Sequence, residues 1–301
     1  EALALAARSK LAIVLAQGVL LRTTNAGTLW SEVSLPRYPY SVAFKDADTA
    51  FAIGYEIIRS NDRGATWSYV QQLGQNEYAV RTRFINSQVG ATAGGYYDQN
   101  IGGWVGHIRR TTDGGATWQR VKTTAMNLEV HNLAFISPDT VRAATYNGWL
   151  YRTNDFTAAS PTWDSVQIGV SVGVEGLAFV DADSGIAVGS RIWRTTNGGT
   201  TWTMVLIPNY YLYGLAMKDK SVGVAVGGGG RIYRTTNAGR TWTLEESGAT
   251  TWLQSASYSG RVALAVGDAG TILRSIDPLG EAEPNNTLPT AIPIAYNDEV
   301  D

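Results

Sequence analysis

At 301 residues, 44% apolar and 17% charged, with no cysteine and a formal net charge of −2, the chain has the composition of a folded globular protein, not of a disordered chain or a coiled coil. The lack of cysteine excludes disulfides, thiolate metal sites and a cysteine nucleophile, and two histidines, His107 and His131, cannot by themselves form a multi-histidine metal site. A near-neutral charge gives no global field toward nucleic acid, so no nucleic-acid partner is expected; with no metal-ligand cluster or Walker loop in the sequence, no metal or cofactor is expected. Thirty-three glycines, ten tryptophans and fifteen tyrosines favour many short strands joined by tight turns, an all-β chain.

Along the chain, "KLAIVLAQGVLL" from Lys10 is broken by polar residues and alternates, which predicts strands and no direct membrane insertion. It leads into "RTTNAGTLW" from Arg22, and this nonapeptide returns with small changes. "RSNDRGATW" starts at Arg59, "RTTDGGATW" at Arg110, "RTNDFTAASPTW" at Arg152, "RTTNGGTTW" at Arg194, "RTTNAGRTW" at Arg234 and a decayed "RSIDPLG" at Arg274. The spacing of these arginines is that of one four-stranded propeller blade. Each copy follows an apolar strand such as "LYGLAMK", then "VGVAVG", a glycine-rich turn and "RIYRT". The unit therefore reads as strands A, B, C and D with the nonapeptide as the C–D hairpin. Seven units predict a seven-bladed β-propeller over residues 1–280, with blades at 1–36, 37–73, 74–123, 124–168, 169–207, 208–246 and 247–280.

Within the nonapeptide the fourth residue (Asn25, Asp62, Asp113, Asp155, Asn197, Asn237) can accept hydrogen bonds from backbone N–H groups two residues on. A following glycine such as Gly199 adopts a conformation that a Cβ would penalise. The closing tryptophan (Trp30, Trp67, Trp118, Trp163, Trp202, Trp242) is expected to fold back between its hairpin and the neighbouring sheet. Repetition in every blade points to a structural joint. The box of blade four has lost its glycine and gained three residues, and is read as tolerated decay.

This pattern resembles the Asp-box, or bacterial neuraminidase repeat. The fuller unit "AVGGGGRIYRTTNAGRTW" is similar to the seven-bladed propellers of the photosystem II assembly and stability factor family. The resemblance implies a fold more than a function, because such propellers host hydrolases, sorting receptors, assembly factors and lectin-like modules. Blade seven lacks the tryptophan and strand D. "LPTAIPIA" (288–295) is a candidate closing strand, and "EAEPNNTLPTAIPI" resembles the opening of bacterial pre-peptidase C-terminal domains. Residues 281–301 are thus a linker, a closing strand or the start of a truncated β-sandwich. That resemblance implies a protein that is secreted, periplasmic or at the cell surface, and the start at Glu1 without a methionine is read as a processed or trimmed form.

The opposite face, of B–C and D–A loops, gathers aromatic residues: Tyr40, Tyr78, Tyr96, Tyr97, Trp104, Trp149, Tyr211, Tyr213 and Trp252, with Tyr38, Tyr55, Tyr146 and Tyr210 beside them. Such rings stack through their faces while a phenol or indole donates a hydrogen bond, as peptide or sugar recognition requires. Aligning strand A by its apolar end puts Tyr40, Val80, His131, Glu175, Tyr213 and Gln254 at one level, expected to ring the channel mouth. Arg81 and Arg83 occupy positions that are small in other blades; with Arg37 they suggest an anion site, or a solvated channel wall with ion pairs to Glu77 or Glu129. Blade three carries about eleven extra residues, Tyr96 to Gly106, read as a long recognition loop.

No catalytic residue is assigned. The R-I-P phrase of sialidases is absent and their ring has six blades, while Asp-box glucanases place their acids between two propellers. "GGGG" at 227–230 precedes a strand, so it is a blade turn and not a phosphate cradle. The expected function is a non-catalytic recognition or assembly module binding a protein, peptide or glycan on the aromatic face. The alternatives are a glycoside-hydrolase-related propeller and a structural subunit of an extracellular assembly.

Overall fold

The computed structural model describes residues 2–8, 10–16, 19–25, 27–169, 173–259 and 262–276. They form seven antiparallel sheets whose strands follow one another in chain order. The first three sheets are β1 to β4 (Ala2–Arg8, Leu11–Ala16, Val19–Thr23, Ser31–Val33), β5 to β8 (Ser41–Phe44, Ala50–Ile53, Glu56–Ser60, Ser68–Gln72) and β9 to β12 (Glu77–Phe84, Gly90–Asp98, Gly103–Thr111, Gln119–Met126). Blades four to six are β13 to β16 (Val130–Phe135, Val141–Thr145, Trp149–Thr153, Asp164–Gln167), β17 to β20 (Val174–Phe179, Gly185–Gly189, Ile192–Thr195, Thr203–Leu206) and β21 to β24 (Leu212–Met217, Gly223–Gly227, Ile232–Thr235, Thr243–Glu245). The seventh has three strands among the described residues, β25 to β27 (Leu253–Ser259, Val262–Gly267, Ile272–Ile276). The proposed closing strand, 288–295, lies outside them.

The first strand of each sheet touches the first strands of both neighbours, and β1 meets β25, so the sheets close into a seven-bladed propeller around a central channel. Burial peaks at the second strand of each blade and falls toward the outer edge. Second strands such as "GVAVG" (β22) are buried on both faces because a blade is flanked on both sides, which is why they read as continuous apolar runs. Fourth strands such as β8 are mostly exposed and polar.

Seven apolar clusters fill the seven joints between blades, and a hairpin tryptophan packs on six of them. Trp67 packs where Ile13 and Leu20 of blade one meet Val42 and Ile58 of blade two. Trp30 does the same where Ala12 and Val14 meet Leu264 and Val266 of blade seven, so one joint both repeats and closes the ring. The seventh cluster, between blades six and seven, has no tryptophan.

The hairpin holds each ring in place through a repeated set of bonds. In blade two Ser60 Oγ donates to Asp62 Oδ1 (2.8 Å) and accepts from Gly64 N–H (2.7 Å), while Asp62 Oδ1 accepts from the Ala65 and Thr66 amides (3.0 and 2.8 Å). Thr111 with Asp113, Thr195 with Asn197 and Thr235 with Asn237 repeat the pattern. Trp67 and Trp202 return their indole N–H to the glycine carbonyl of their own hairpin (3.2 Å).

The glycine is required twice over. Gly115 sits at φ +87°, and a Cβ there would stand 2.2 Å from the Phe51 ring of the preceding blade. Gly64 against Ile13 and Gly239 against Ile186 are alike.

Blade four departs from this rule, and the structure corrects the view of its box as decay. Phe156 stands one position before the place of that glycine, its amide donating to the Asp139 carbonyl as those of Arg63, Gly114, Gly198 and Ala238 donate to the A–B turns of their own blades, and it is fully buried in the cluster that holds Ala91 of blade three. Ala91 pairs with Arg110 as Phe51 pairs with Arg59 and Ile13 with Arg22, so it is the small residue where other blades carry a large one. A large hairpin residue meets a small strand residue here, and the reverse holds elsewhere. Volume at the joint is conserved.

Candidate ligand-binding site

The mouth of the channel is shaped by an irregularity in the innermost strands. In six blades the pairing of strand A with strand B slips by one residue at the same level: between Ala2 and Ala4, at Val80, and at His131, Glu175, Tyr213 and Gln254. Each bulge leaves one residue out of the ladder and re-aims its side chain. The residues aligned from the sequence in blades three to seven are the bulged ones.

His131 and Glu175 thereby turn into a cleft of about 500 Å³, walled by Tyr78, Trp104 and Tyr146 and floored by Glu129, with Asn127 and Asn147 at its rim. Tyr78 Oη donates to Glu129 Oε1 (2.9 Å), His131 Nε2 lies 3.5 Å from Glu129 Oε2, and His131 Nδ1 lies 3.8 Å from Glu175 Oε2. Blades three, four and five are thus tied across the mouth. Burial alone would push the His131 imidazole down, but the two carboxylates outweigh it and hold its pKa at about 9. It is a cation at neutral pH. The His131 contact, with Tyr78 as a second donor, keeps Glu129 below the ordinary carboxylate range in spite of its burial.

Aromatic rings flank this charged centre on both sides. One arc runs Tyr40, Tyr55, Tyr78, Trp104, Tyr97, with successive centroids 5.6–6.0 Å apart. The other runs Tyr211, Tyr213, Trp252, with Tyr213 and Trp252 stacked at 5.6 Å and 20°. Trp104, Tyr97, Tyr55, Tyr146 and Trp252 are exposed, which leaves ring faces open to solvent. Burial raises the Tyr78 and Tyr211 phenols above their ordinary range, Tyr78 also through Glu129 and Tyr211 through Glu175, so both stay protonated hydrogen-bond donors.

Several residues expected at this face do other work. Trp149 packs half-buried on the cluster between blades three and four. Tyr96 lies half-buried under the Arg120 guanidinium (4.7 Å). Arg37 pairs with Glu56 (2.6 Å) and joins no anion site with Arg81 and Arg83. Arg81 reaches across the channel to the carbonyls of His131 (3.2 Å) and Glu175 (3.5 Å), so it caps the unpaired edge of two inner strands. Arg83 lies deeper, toward the hairpin end.

Glu77 pairs with neither of these arginines. It turns into blade three, where Arg109 (2.7 Å) and Arg120 (2.6 Å) bind it and His107 Nε2 approaches at 3.3 Å. Burial opposes ionisation of Glu77, yet these partners bring its carboxyl to about 2, whereas burial pushes His107 down to about 4. This buried network underlies the extra residues of blade three. They are not a loop: β10 and β11 stay paired from Gly90 and Thr111 out to Asp98 and Gly103. Asp98 then closes a short turn by accepting from the Asn100 and Gly102 amides (both 2.9 Å). The strand-favouring pairs Tyr96–Tyr97 and Trp104–Val105 on either side of the turn-forming "DQNIGG" carried that signal. The result is a stiff arm presenting Trp104 and Tyr97. Blade three also runs on to Met126, past the expected boundary at 123.

Sequence reasoning assigned no site role to Glu129, Tyr146, Asn127 or Asn147, though the first two drew attention as a possible ion-pair partner of the channel arginines and a loop aromatic. Only the fold shows that loops from blades three and four meet.

No family model matches the chain, and no curated protein does. Among solved structures, YCF48 bound to D1 peptide superposes with a TM-score of 0.70 over 91% of this chain and 93% of that one, at 17% identity. YCF48 from Cyanidioschyzon merolae gives 0.71 over 93% and 96%, also at 17%. The WD40 propeller domain of Doa1 gives 0.70 over 91% of each chain, at 11%. At these identities the likeness is one of fold, a seven-bladed propeller.

Proposed function

We propose that this chain is a protein-binding propeller that holds an extended peptide segment of a partner across the mouth of its channel. The observation that carries the reading is the arrangement of two aromatic arcs on either side of the Glu129–His131–Glu175 centre. A peptide laid across it would stack apolar or aromatic side chains on Trp104 and Trp252 and present its amides to the carboxylates and to Asn127 and Asn147. A rigid scaffold lowers the ordering cost of such binding. The structure of a like-folded propeller with a bound peptide supports the reading by analogy of fold.

The test is selection of peptides from a random display library on the immobilised chain, followed by titration of the winners. Trp104→Ala and Tyr213→Ala are expected to weaken binding about tenfold or more each. Winners whose affinity ignores both substitutions would overturn the assignment. A glycan occupant is the second reading, favoured by ring faces beside paired carboxylates and two asparagines; a glycan array probed with the same variants distinguishes it.

A further inference from the structure

The hairpin end of the channel is a second cavity, of about 470 Å³, walled by the ends of the innermost strands. Its rim is apolar, with Phe44, Phe135, Phe179, Met217 and Tyr258 half-buried around it. Among the described residues one charged side chain lines it, Arg83. The register places Arg83 on the same rung as Ala43, Ala134, Ala178, Ala216 and Ser257, each paired with the B-strand residue opposite its hairpin arginine. A propeller joint needs only a small residue there, as five other blades show, and those small residues leave the space that Arg83 enters.

The two channel arginines differ. Arg81 is occupied by two carbonyls across the channel, which explains it as a cap. Arg83 donates to the carbonyl of its own neighbour Thr82 (3.3 Å), stands exposed to the channel, and pairs with no carboxylate among the described residues. It also lies in the repulsive field of Arg81. A cation so placed, with most of its donors open and apolar walls around it, is complementary to an anion with a greasy tail.

We propose that the hairpin end of the channel binds a carboxylate carrying a short apolar chain, the carboxylate on the Arg83 guanidinium and the chain against the Phe44–Phe135–Phe179 rim. This site is separate from the mouth and does not depend on what binds there. The cavity lies at the small end of the range for ligand pockets, about 300–1,000 Å³, so it suits a single short chain.

Calorimetric titration of the full chain with sodium octanoate tests it, with octanamide as the neutral twin. Saturable octanoate binding is expected, lost for octanamide, about tenfold or more weaker in Arg83→Gln and partly retained in Arg83→Lys, with melting temperatures showing both variants folded. Trp104→Ala should leave it unchanged, which separates this site from failure or success at the mouth. A peptide ending in a free leucine carboxylate, compared with its amide, identifies the source: tighter binding of the acid than of octanoate assigns a chain terminus, weaker binding a free acid. No saturation by octanoate, equal binding of octanamide, or an undiminished Arg83→Gln would each overturn the proposal.

Discussion

The two ends of the ring obey different rules. At the hairpin end the same bonds recur in blade after blade, Thr or Ser to Asp or Asn, glycine against the preceding blade, tryptophan over the joint. At the mouth the equivalent level carries Val80, His131, Glu175, Tyr213 and Gln254, no two alike, each lifted out of its ladder by the same bulge. Repetition marks what the scaffold needs everywhere, and variation at a fixed geometric position marks where the scaffold is used. Blade four sharpens this, because even the exception at the hairpin end, Phe156 against Ala91, restores the volume of the rule it breaks.

The comparison breaks most visibly at that exception. Phe156→Gly should cost about 3–5 kcal/mol by urea denaturation, since it empties a fully buried site. Adding Ala91→Phe should return part of the loss, and strict additivity of the two would show that volume is not what the joint conserves. Next comes the arm. Glu77→Gln leaves Arg109 and Arg120 without their anion and should destabilise by about 3 kcal/mol. Because the native Glu77 carboxyl lies at about 2 against an ordinary 4.5, its contribution is present above pH 4.5 and lost as pH falls from there through 2. Acid unfolding curves of the variant should lack that component.

Smaller effects test the repeat and the mouth. Asp62→Ala removes one hairpin's acceptor and should cost about 1 kcal/mol, with its neighbours unaffected. Trp104→Ala and Tyr213→Ala should change stability by no more than about 0.5 kcal/mol, because the exposed indole and the half-buried phenol lie outside the joints. A larger loss would place them in the scaffold. Finally, the His131 imidazole proton should titrate by NMR near pH 9. Its raised pKa means that the clasp to Glu129 and Glu175 is fully present below 6.5 and lost as pH rises through about 9. Glu175→Gln should move that midpoint down, and an unmoved midpoint would dissociate the pair.

The architecture was legible because it is written seven times: an Arg-led hairpin at blade spacing leaves little choice of fold. Even the level of the mouth could be read, since aligning strand A by Phe84, Phe135 and Phe179 found the bulged residues without knowing that they bulge. Hidden were the relations that repetition does not carry. Phe156 is intelligible only beside Ala91, sixty-five residues away and in another blade. Glu77 chooses Arg109 and Arg120 over Arg81 because strand pairing, not chain proximity, sets its neighbours. Arg81 serves bare carbonyls, which have no signature in side chains at all.

The joint between Ala12 and Leu264 has a kinetic corollary. Six of the seven joints link neighbours in the chain and can form as each blade is made, but this one brings residues some 250 apart into contact and carries nearly the whole loop-closure entropy of the ring. Circularisation should therefore be the last and slowest step of assembly. Opening should begin at the same seam, where amide exchange would be the fastest among the inner strands.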